Sequence, residues 1–445
     1  MLATELSNSL NGEPDVKSKV AEMSVDIVSK CLVTNTRSQL PENVFARLNQ
    51  TRADFALNLL QKLSKMGGQP PAMKTLLPYA WRAIANLDTT FELALESGEE
   101  AAIYYRTLLK ILFLALRVHV RDRQLSPKEL RESQRKEPDS SSAQLTIAVE
   151  IMDKIIGQGF HDLASAIHAE SKAIVPDDIA LITALLQSCL LMPGFESRTA
   201  QIQAILTTHD TARKASSLFS WSDRLAIDGD PIYGELSILF LLELSTIPEV
   251  AERLAVEGIL GHLSSAPLMM YMRKANVGPF SDSVGAQRCY SIWARGILPL
   301  LLNLLARLEA SIAGEIAIFM NQFPNLLQQA ETALDMAERS RGGLRHVSRV
   351  SLLQVSEIQS IALIVLILRS CRTQVGGIPE VEFDASNVLE GVETWLSRRQ
   401  VLAQRIAVLS VREAELESRG ELEAKIVGEL EDLKAVLSEL NGDGN

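Results

Sequence analysis

The sequence predicts an all-α protein, built as a stack of helices that cover one another. Three observations carry this expectation. Leu and Ala dominate while aromatic residues make up only 5% of the chain, a bias toward helices over sheets. No run of strand-like alternation bounded by turn residues is found along the chain. The stretch 290–334 holds two successive apolar segments. In the first, Ile292, Trp293, Ile297, Leu298, Leu301, Leu304 and Leu308 leave almost no polar face, as in a helix buried on several sides. Arg295, Asn303 and Arg307 interrupt it, and Pro299 is expected to kink it. The second segment, 312–323, stops at Pro324. Two such helices in succession, neither able to hide its surface alone, imply a stacked array.

Composition narrows the function. The 445 residues are 47% hydrophobic, ample for a large core, and carry a net charge of −11. That charge argues against a broad basic face for nucleic acid and against an anionic membrane as the main partner. Cys31, Cys189, Cys289 and Cys371 are far apart in sequence, the pattern of reduced, buried thiols in a cytosolic or nuclear protein. The first residues are polar, so no secretory signal is read there. The longest uninterrupted apolar run is 361–368, well short of the roughly 20 residues of a spanning helix. No transmembrane segment is expected.

Taken in order, residues 1–12 read as a disordered tail, and 13–375 as the helical array. Pro14 and Asp15 open a helix with Val20, Met23, Ile27, Val28 and Cys31 on one face. Pro41 opens the next, with Val44, Leu48, Phe55, Leu59 and Leu60, and the loop 65–71 ends it. A third unit, 76–95, turns Trp81, Ile84, Leu87 and Phe91 inward, and 103–120 follows with the buried run ILFLAL. Composition then changes abruptly: 121–144 is polar, mixed in charge and serine-rich, a mobile insertion between helices. Helices resume over 145–156 and 162–168. Pro176, Asp177 and Asp178 mark a helix start, followed by 179–192 and 202–218.

Beyond Ile232 the pattern sharpens. The helix 236–244 is closed by Pro248, and 248–268 resembles an armadillo-type unit: Gly258 falls where a left-handed residue lets the chain turn between two helices. A loop at 275–283 precedes the central pair. The loop 340–348 leads to a helix over 350–371. Residues 376–387 read as a linker, and 388–441 as C-terminal helices. The first of these is expected over 388–411, with Leu389, Val392, Leu396, Leu402, Ile406 and Leu409 inward. In the last, Ile426, Leu430, Leu433, Leu437 and Leu440 alternate spacings of four and three, a coiled-coil-like seam. Gly420 and Gly428 weaken it. The seam either caps the last layer of the stack or docks a partner helix.

No residue pattern supports catalysis, and no catalytic, cofactor-binding or metal-ligating residue is assigned. His119, His161, His168, His209, His262 and His346 form no zinc pattern. His161 and His168 could share a helix face but lack a third ligand. Asp228-Gly229-Asp230 reads as a turn before Pro231 and lacks the later ligands of a calcium loop. Gly157-Gln158-Gly159 is too short to cradle a phosphate. Arg339, Arg341, Arg345, His346 and Arg349 read as solvated loop charge. The chain is not expected to be an enzyme, and no cofactor is expected.

The stretches 219–244 (FSWSDRLAIDGDPIYGELSILFLLEL), 290–305 (YSIWARGILPLLLNLL) and 319–327 (FMNQFPNLL) resemble the C-terminal region of the nucleoporin-188 family, large scaffold proteins of the inner ring of the nuclear pore complex. The resemblance implies a right-handed α-solenoid, a superhelix of armadillo/HEAT-like repeats, located at the nuclear envelope. It implies a structural role in pore assembly and nucleocytoplasmic transport. Its partners would be other inner-ring nucleoporins, with Phe-Gly repeat nucleoporins and pore-membrane proteins as further candidates, and no direct nucleic acid. Two other readings remain: a karyopherin-like receptor or adaptor for Phe-Gly repeats or cargo peptides, and a helical regulator of a small GTPase. Trp81, Trp221, Trp293 and Trp395 show no repeat spacing, which counts against a cargo-binding Trp ladder. The placement of the central helix is testable. Leu301→Asp should destabilise the fold by about 3–5 kcal/mol, seen as a large drop in melting temperature; melting at the parental temperature would remove Leu301 from the core.

Overall fold

The computed structural model describes residues 14–33, 41–65, 71–87, 98–120, 140–169, 174–274, 276–335 and 349–442. Among the described residues the regular structure is helical, and the β pairings are isolated bridges, Ile227 with Asp230 and Val350 with Ile406. The chain divides into two compact units, Met1–Lys214 and Ala215–Asn445. The tail 1–12, residues 121–139 of the expected insertion, Phe91, and the basic residues Arg339, Arg341, Arg345 and His346 lie outside the described residues. Residues 140–144, expected to end the insertion, already belong to a helix.

In the first unit, α1 (Pro14–Leu32) packs on α2 (Glu42–Lys65). The inward stripe of α1 is Ala21, Val25, Val28 and Leu32, while Met23 is 65% exposed. The expected face through Met23 and Ile27 is therefore corrected: two apolar stripes overlap on this helix, and the small Ala21 allows the closer approach. Likewise α2 buries Ala56, Leu60 and Leu63 and leaves Val44, Leu48 and Phe55 exposed. A 3₁₀ turn (Pro71–Leu76) leads into α3 (Leu77–Ala85), followed by α4 (Glu99–Arg117) and α5 (Ser140–Ile151). The Trp81 indole N–H donates to Glu150 at 2.5 Å, tying α3 to α5.

A π-helical segment, Met152–Gly159, continues into α6 (Phe160–His168). A Cβ on Gly157 would stand 2.3 Å from His209 Cδ2, so its glycine serves close packing. His209 lies just beyond α8 (Thr199–Thr208), and its Nε2 is 2.8 Å from Asp153 Oδ1. Between them runs α7 (Pro176–Leu190), whose Asp178 accepts two hydrogen bonds of 2.7 Å from the Arg106 guanidinium of α4. The unit boundary falls inside α9 (Thr211–Ser220).

After α9 the second unit continues through α10 (Ile232–Leu244), α11 (Pro248–Val256), α12 (Ile259–Ser265) and α13 (Pro267–Met272). Gly258 takes the expected left-handed conformation, φ 72° and ψ 41°, between α11 and α12. The central segment comprises α14 (Val284–Ser291), a π-helical stretch (Ile292–Ile297) and α15 (Leu298–Leu308). Pro299 does not end the helix, since Val284–Leu308 runs on as one; in the π-helical stretch before it the Leu298 N–H reaches back to the Trp293 carbonyl, which widens the turn below the proline ring. A Cβ on Gly296 would lie 2.4 Å from Ile238 Cγ2, so α10 crosses the central segment closely there. The polar interruptions find partners: Asn303 donates to Ser245 Oγ at 3.0 Å, and Arg295 meets Glu235 at 3.5 Å.

Next come α16 (Ala310–Met320), α17 (Pro324–Thr332) and α18 (Leu352–Gln374). Contrary to the expectation drawn from uninterrupted apolar runs, Val284–Leu308 and Leu352–Gln374 are long and apolar enough to cross a membrane. Both lie among other helices of the unit, with 67% and 56% of their apolar windows buried. The pair Pro176–Leu190 and Phe195–Thr208 meets the same test only when joined across a 101° bend.

After α18 the chain runs without regular structure to Asp384, which caps α19 (Ala385–Ser397) by accepting from the N–H groups of Ser386 and Asn387. The single helix expected over 388–411 is corrected. Arg398 leaves helical geometry (φ −117°, ψ 51°), α20 (Arg399–Arg405) is short, and Ile406 extends to pair with Val350. Val392 and Leu402 are buried as expected, while Val388 and Trp395 are buried in place of Leu389 and Leu396. The chain ends in α21 (Val411–Ser418) and α22 (Leu422–Gly442).

Among the described residues, Asp210, Asp228 and Glu309 are the non-glycine positions with positive φ. Glu309, between α15 and α16, holds φ 46° and ψ −126°, a region costly for a residue with a Cβ. Glu309→Gly should raise stability by about 1 kcal/mol, read as a higher denaturation midpoint with an unchanged slope; a lower midpoint would show that the Glu309 side chain makes a larger contribution.

Candidate functional site

The seam residues Ile426, Leu430, Leu433, Leu437 and Leu440 share one face of α22 because their spacing follows the helical repeat. The structure turns that face inward. Ile426, Leu430, Leu433 and Leu437 are fully buried and Leu440 is 1% exposed. They pack against α18 and α19 of the same chain. Polar contacts fix the register. Arg369 of α18 donates to the Leu440 carbonyl at 2.7 Å, and Lys434 and Glu431 pair with Glu393 and Arg399. Gly420, at φ +71°, makes the turn from α21 into α22, and a Cβ on Gly428 would meet open space. The other side of α19 is anchored by Trp395, whose indole N–H donates to the Leu334 carbonyl at 2.8 Å.

A second part of this layer is a clasp at the start of α18. The Val350 N–H donates to the Arg405 carbonyl at 3.0 Å, and Ala407 N–H to the Val350 carbonyl at 2.8 Å. Ser351 caps α18 together with Gln354. Ser410 caps α21 together with Glu413. The buried Glu413 carboxylate also accepts from the Leu353 N–H at 2.9 Å, and from the backbone N–H groups of Leu409 and Ser410. An anion thus sits at the positive end of α18, supplied by the chain itself.

Beneath the clasp, the Tyr290 hydroxyl donates to Glu357 of α18, and both side chains are buried. Burial pushes the Glu357 carboxyl up to about 7, opposed by the Tyr290 hydroxyl and the Trp293 indole. The phenol of Tyr290 is pushed well above its ordinary value by burial and by the negative charges of Glu357 and Glu413.

A further polar node braces the central helix. Arg288 of α14 makes two 2.9 Å bonds to the Asp230 carboxylate and pairs with Glu235, and Ser291 donates to Glu235 at 2.5 Å. Asp228 and Gly229, at φ 52° and 80°, form the turn that presents Asp230. The sequence located this turn but not its guanidinium partner, which is 58 residues away and has no local signal. Beside the node is a cleft of about 330 Å³ bordered by Asp223, Pro231, Leu268, Tyr271, Lys274 and Cys289.

Among the described residues no three His, Cys, Asp or Glu side chains gather to hold a metal ion. His161 Nδ1 lies 3.2 Å from the His209 carbonyl. Burial and the charge of Lys214 lower the His168 pKa. The buried ionisable groups hold helices and cap their ends, so the arrangement supports a fixed surface.

Comparison with known proteins bears on what that surface serves. A family model for the nuclear pore protein NUP188 C-terminal domain matches residues 76–441. The chain is 40% identical over 426 residues to nucleoporin NUP188 of Chaetomium thermophilum, covering 89% of this chain and 22% of that protein. It is 26% identical over 311 residues to nucleoporin nup184 of Schizosaccharomyces pombe, covering 67% and 18%. The chain thus spans about one fifth of the length of these curated relatives. A solved fragment, 1445–1827, of Nup188 from Myceliophthora thermophila superposes with a TM-score of 0.69 at 42% identity, covering 83% of this chain and 99% of the fragment.

The clasp can be tested by removing its carboxylate. Glu413→Ala leaves three backbone donors without their acceptor and should cost about 2–3 kcal/mol, read by chemical denaturation. Stability equal to the parent would show that water replaces the carboxylate at no cost.

Proposed function

The chain belongs to the family of the nuclear pore protein NUP188, and from that premise we propose that it is part of a structural scaffold nucleoporin of the nuclear pore complex. The observation that carries this reading is the family match across residues 76–441. Its place is the nuclear envelope, and its mechanism is geometric. Successive helices bury their apolar faces on one another and leave their outward faces to other pore components. The role is non-catalytic.

We read the architecture as a right-handed α-solenoid of armadillo/HEAT-like repeats. The glycine turn at Gly258 between α11 and α12 supports the repeat assignment. The inward seam of α22 supports a capping role: its apolar face is already covered by α18 and α19. Partners then meet outward surfaces, and inner-ring nucleoporins are the first we would seek. Phe-Gly repeat nucleoporins and pore-membrane proteins are further candidates. The two long apolar helices serve as inner helices of the unit, since most of each apolar window is covered by protein. The karyopherin-like alternative has no support of comparable extent.

Affinity capture of the tagged full-length protein from nuclear-envelope extract, read by mass spectrometry, tests the proposal. Enrichment of inner-ring nucleoporins is expected. Enrichment of soluble cargo or a small GTPase, with inner-ring proteins absent, would overturn it.

A further inference from the structure

The cleft beside the Arg288 node lies wholly within the second unit, and its walls are fixed. One wall is the turn before Pro231, a second is α13 with Leu268 and Tyr271, and the start of α14 adds Ser283 and Gly285. Arg288 of α14 holds Asp230 of the turn through two 2.9 Å bonds. A Cβ on Gly285 would stand 2.6 Å from the Gly229 carbonyl oxygen, so turn and helix touch there. Val277 also borders the cleft, and a Cβ on its neighbour Gly278 would stand 2.5 Å from Gln329 Nε2 of α17. The lining residues Pro231, Leu268, Val277 and Cys289 are buried. Two charged residues border this apolar lining. Asp223 is partly buried, and its Oδ1 is shut off from solvent without a hydrogen-bond partner among the described residues. Lys274 sets its ammonium 4.6 Å from the centroid of the Tyr271 ring. Exposed apolar residues stand at the edge: Tyr271 borders the cleft, and Ile227 and Val284 are chain neighbours of residues that do.

The geometry points to this cleft as the seat of a partner segment in which one arginine or lysine stands between apolar residues. The partner's cation meets Asp223, and its aliphatic stem lies along the apolar lining. A carboxylate oxygen buried without a donor is costly, and no described group of the chain supplies one to Asp223 Oδ1. A turn about the carboxylate's last torsion brings either oxygen to an incoming donor. The Tyr271 ring already carries a cation, the chain's own Lys274, so this side of the cleft suits positive charge. The partner's apolar residues cover Ile227 and Val284, and the net charge of −11 draws basic segments to the chain. A volume of about 330 Å³ suits one long side chain and its immediate neighbours. An anionic segment would meet Lys274 but would be repelled by Asp223 and leave its oxygen without a donor. The inference adds a place and a chemistry to the scaffold reading. Its test uses no pore component, so failure of the one is distinguishable from failure of the other.

Fluorescence anisotropy with the whole chain and a labelled peptide, Gly-Leu-Leu-Arg-Leu-Gly, tests the site. The arginine peptide should bind saturably at concentrations up to about 1 mM. Replacing its arginine by citrulline, which keeps the shape and removes the charge, should weaken binding at least about tenfold, the worth of a charge-assisted hydrogen bond. Asp223→Asn should weaken the arginine peptide by a similar factor and leave the citrulline peptide unaffected. Lys274→Ala removes a competing cation and should strengthen the arginine peptide by up to about fivefold. Asp223 and Lys274 both reach solvent, and thermal melting of each variant checks that the fold is kept. Absence of saturable binding, equal binding of the arginine and citrulline peptides, unchanged binding to Asp223→Asn, or weaker binding to Lys274→Ala would each overturn the proposal. Tighter binding of the same peptide with glutamate in place of arginine would assign the cleft to an anionic partner instead, and overturn it equally.

Discussion

A helix that is apolar around most of its circumference must be enclosed by protein on most sides, and α18 sets that demand for the second unit. Leu352, Val355, Ile358, Ile361, Ala362, Ile364, Val365 and Leu368 are all buried. Full burial of such a side chain is worth about 1.5–3 kcal/mol relative to exposure. No single neighbour can cover so wide a stripe. The central segment, α15 to α17, and the terminal helix α22 share the task, and α22 is itself held in place by α19. Every other feature of this layer serves that enclosure: the Gly420 turn, the Trp395 anchor and the Glu413 clasp.

Burial of this extent makes an unpaired polar group costly, and several of the polar groups among these helices are paired across elements. Arg295 and Asn303 interrupt an apolar helix and each meets a partner from a neighbouring helix or its end. Glu413 meets three backbone donors at the joint between α18 and α21. Gly157 and Gly296 remove side chains where His209 and Ile238 come close. Such contacts fix helices at set positions, which suits a protein whose surface has to keep its shape.

Much of this organisation was legible in the sequence because apolar periodicity and helix-terminal residues are local signals. The burial of Leu301, the turn at Gly258 and the terminal helix with its seam all follow from spacing alone. What failed did so for a reason of longer range. Two stripes compete on α1, and packing against α2 decides between them in favour of Ala21 and Val25. The helix expected over 388–411 has adequate local propensity, but Ile406 is drawn out by Val350, far away in sequence. Apolar runs counted without interruption missed the length of Val284–Leu308, since Arg295 breaks the run but not the helix. The seam of α22 was visible, but its partner was not: nothing in 422–442 says whether the matching face lies in the same chain. Arg288 and its carboxylates were invisible for the same reason.

The central claim is that α22 closes the fold by covering α18 and α19. It is tested most directly by ending the chain before Leu422, measuring thermal unfolding, and then adding a peptide of residues 420–442. The account predicts a lower melting temperature, exposed apolar surface that binds a hydrophobic dye, and recovery of both on peptide addition. A shortened chain that melts like the parent and binds no dye would contradict it, since α18 would then be enclosed without its terminal helix.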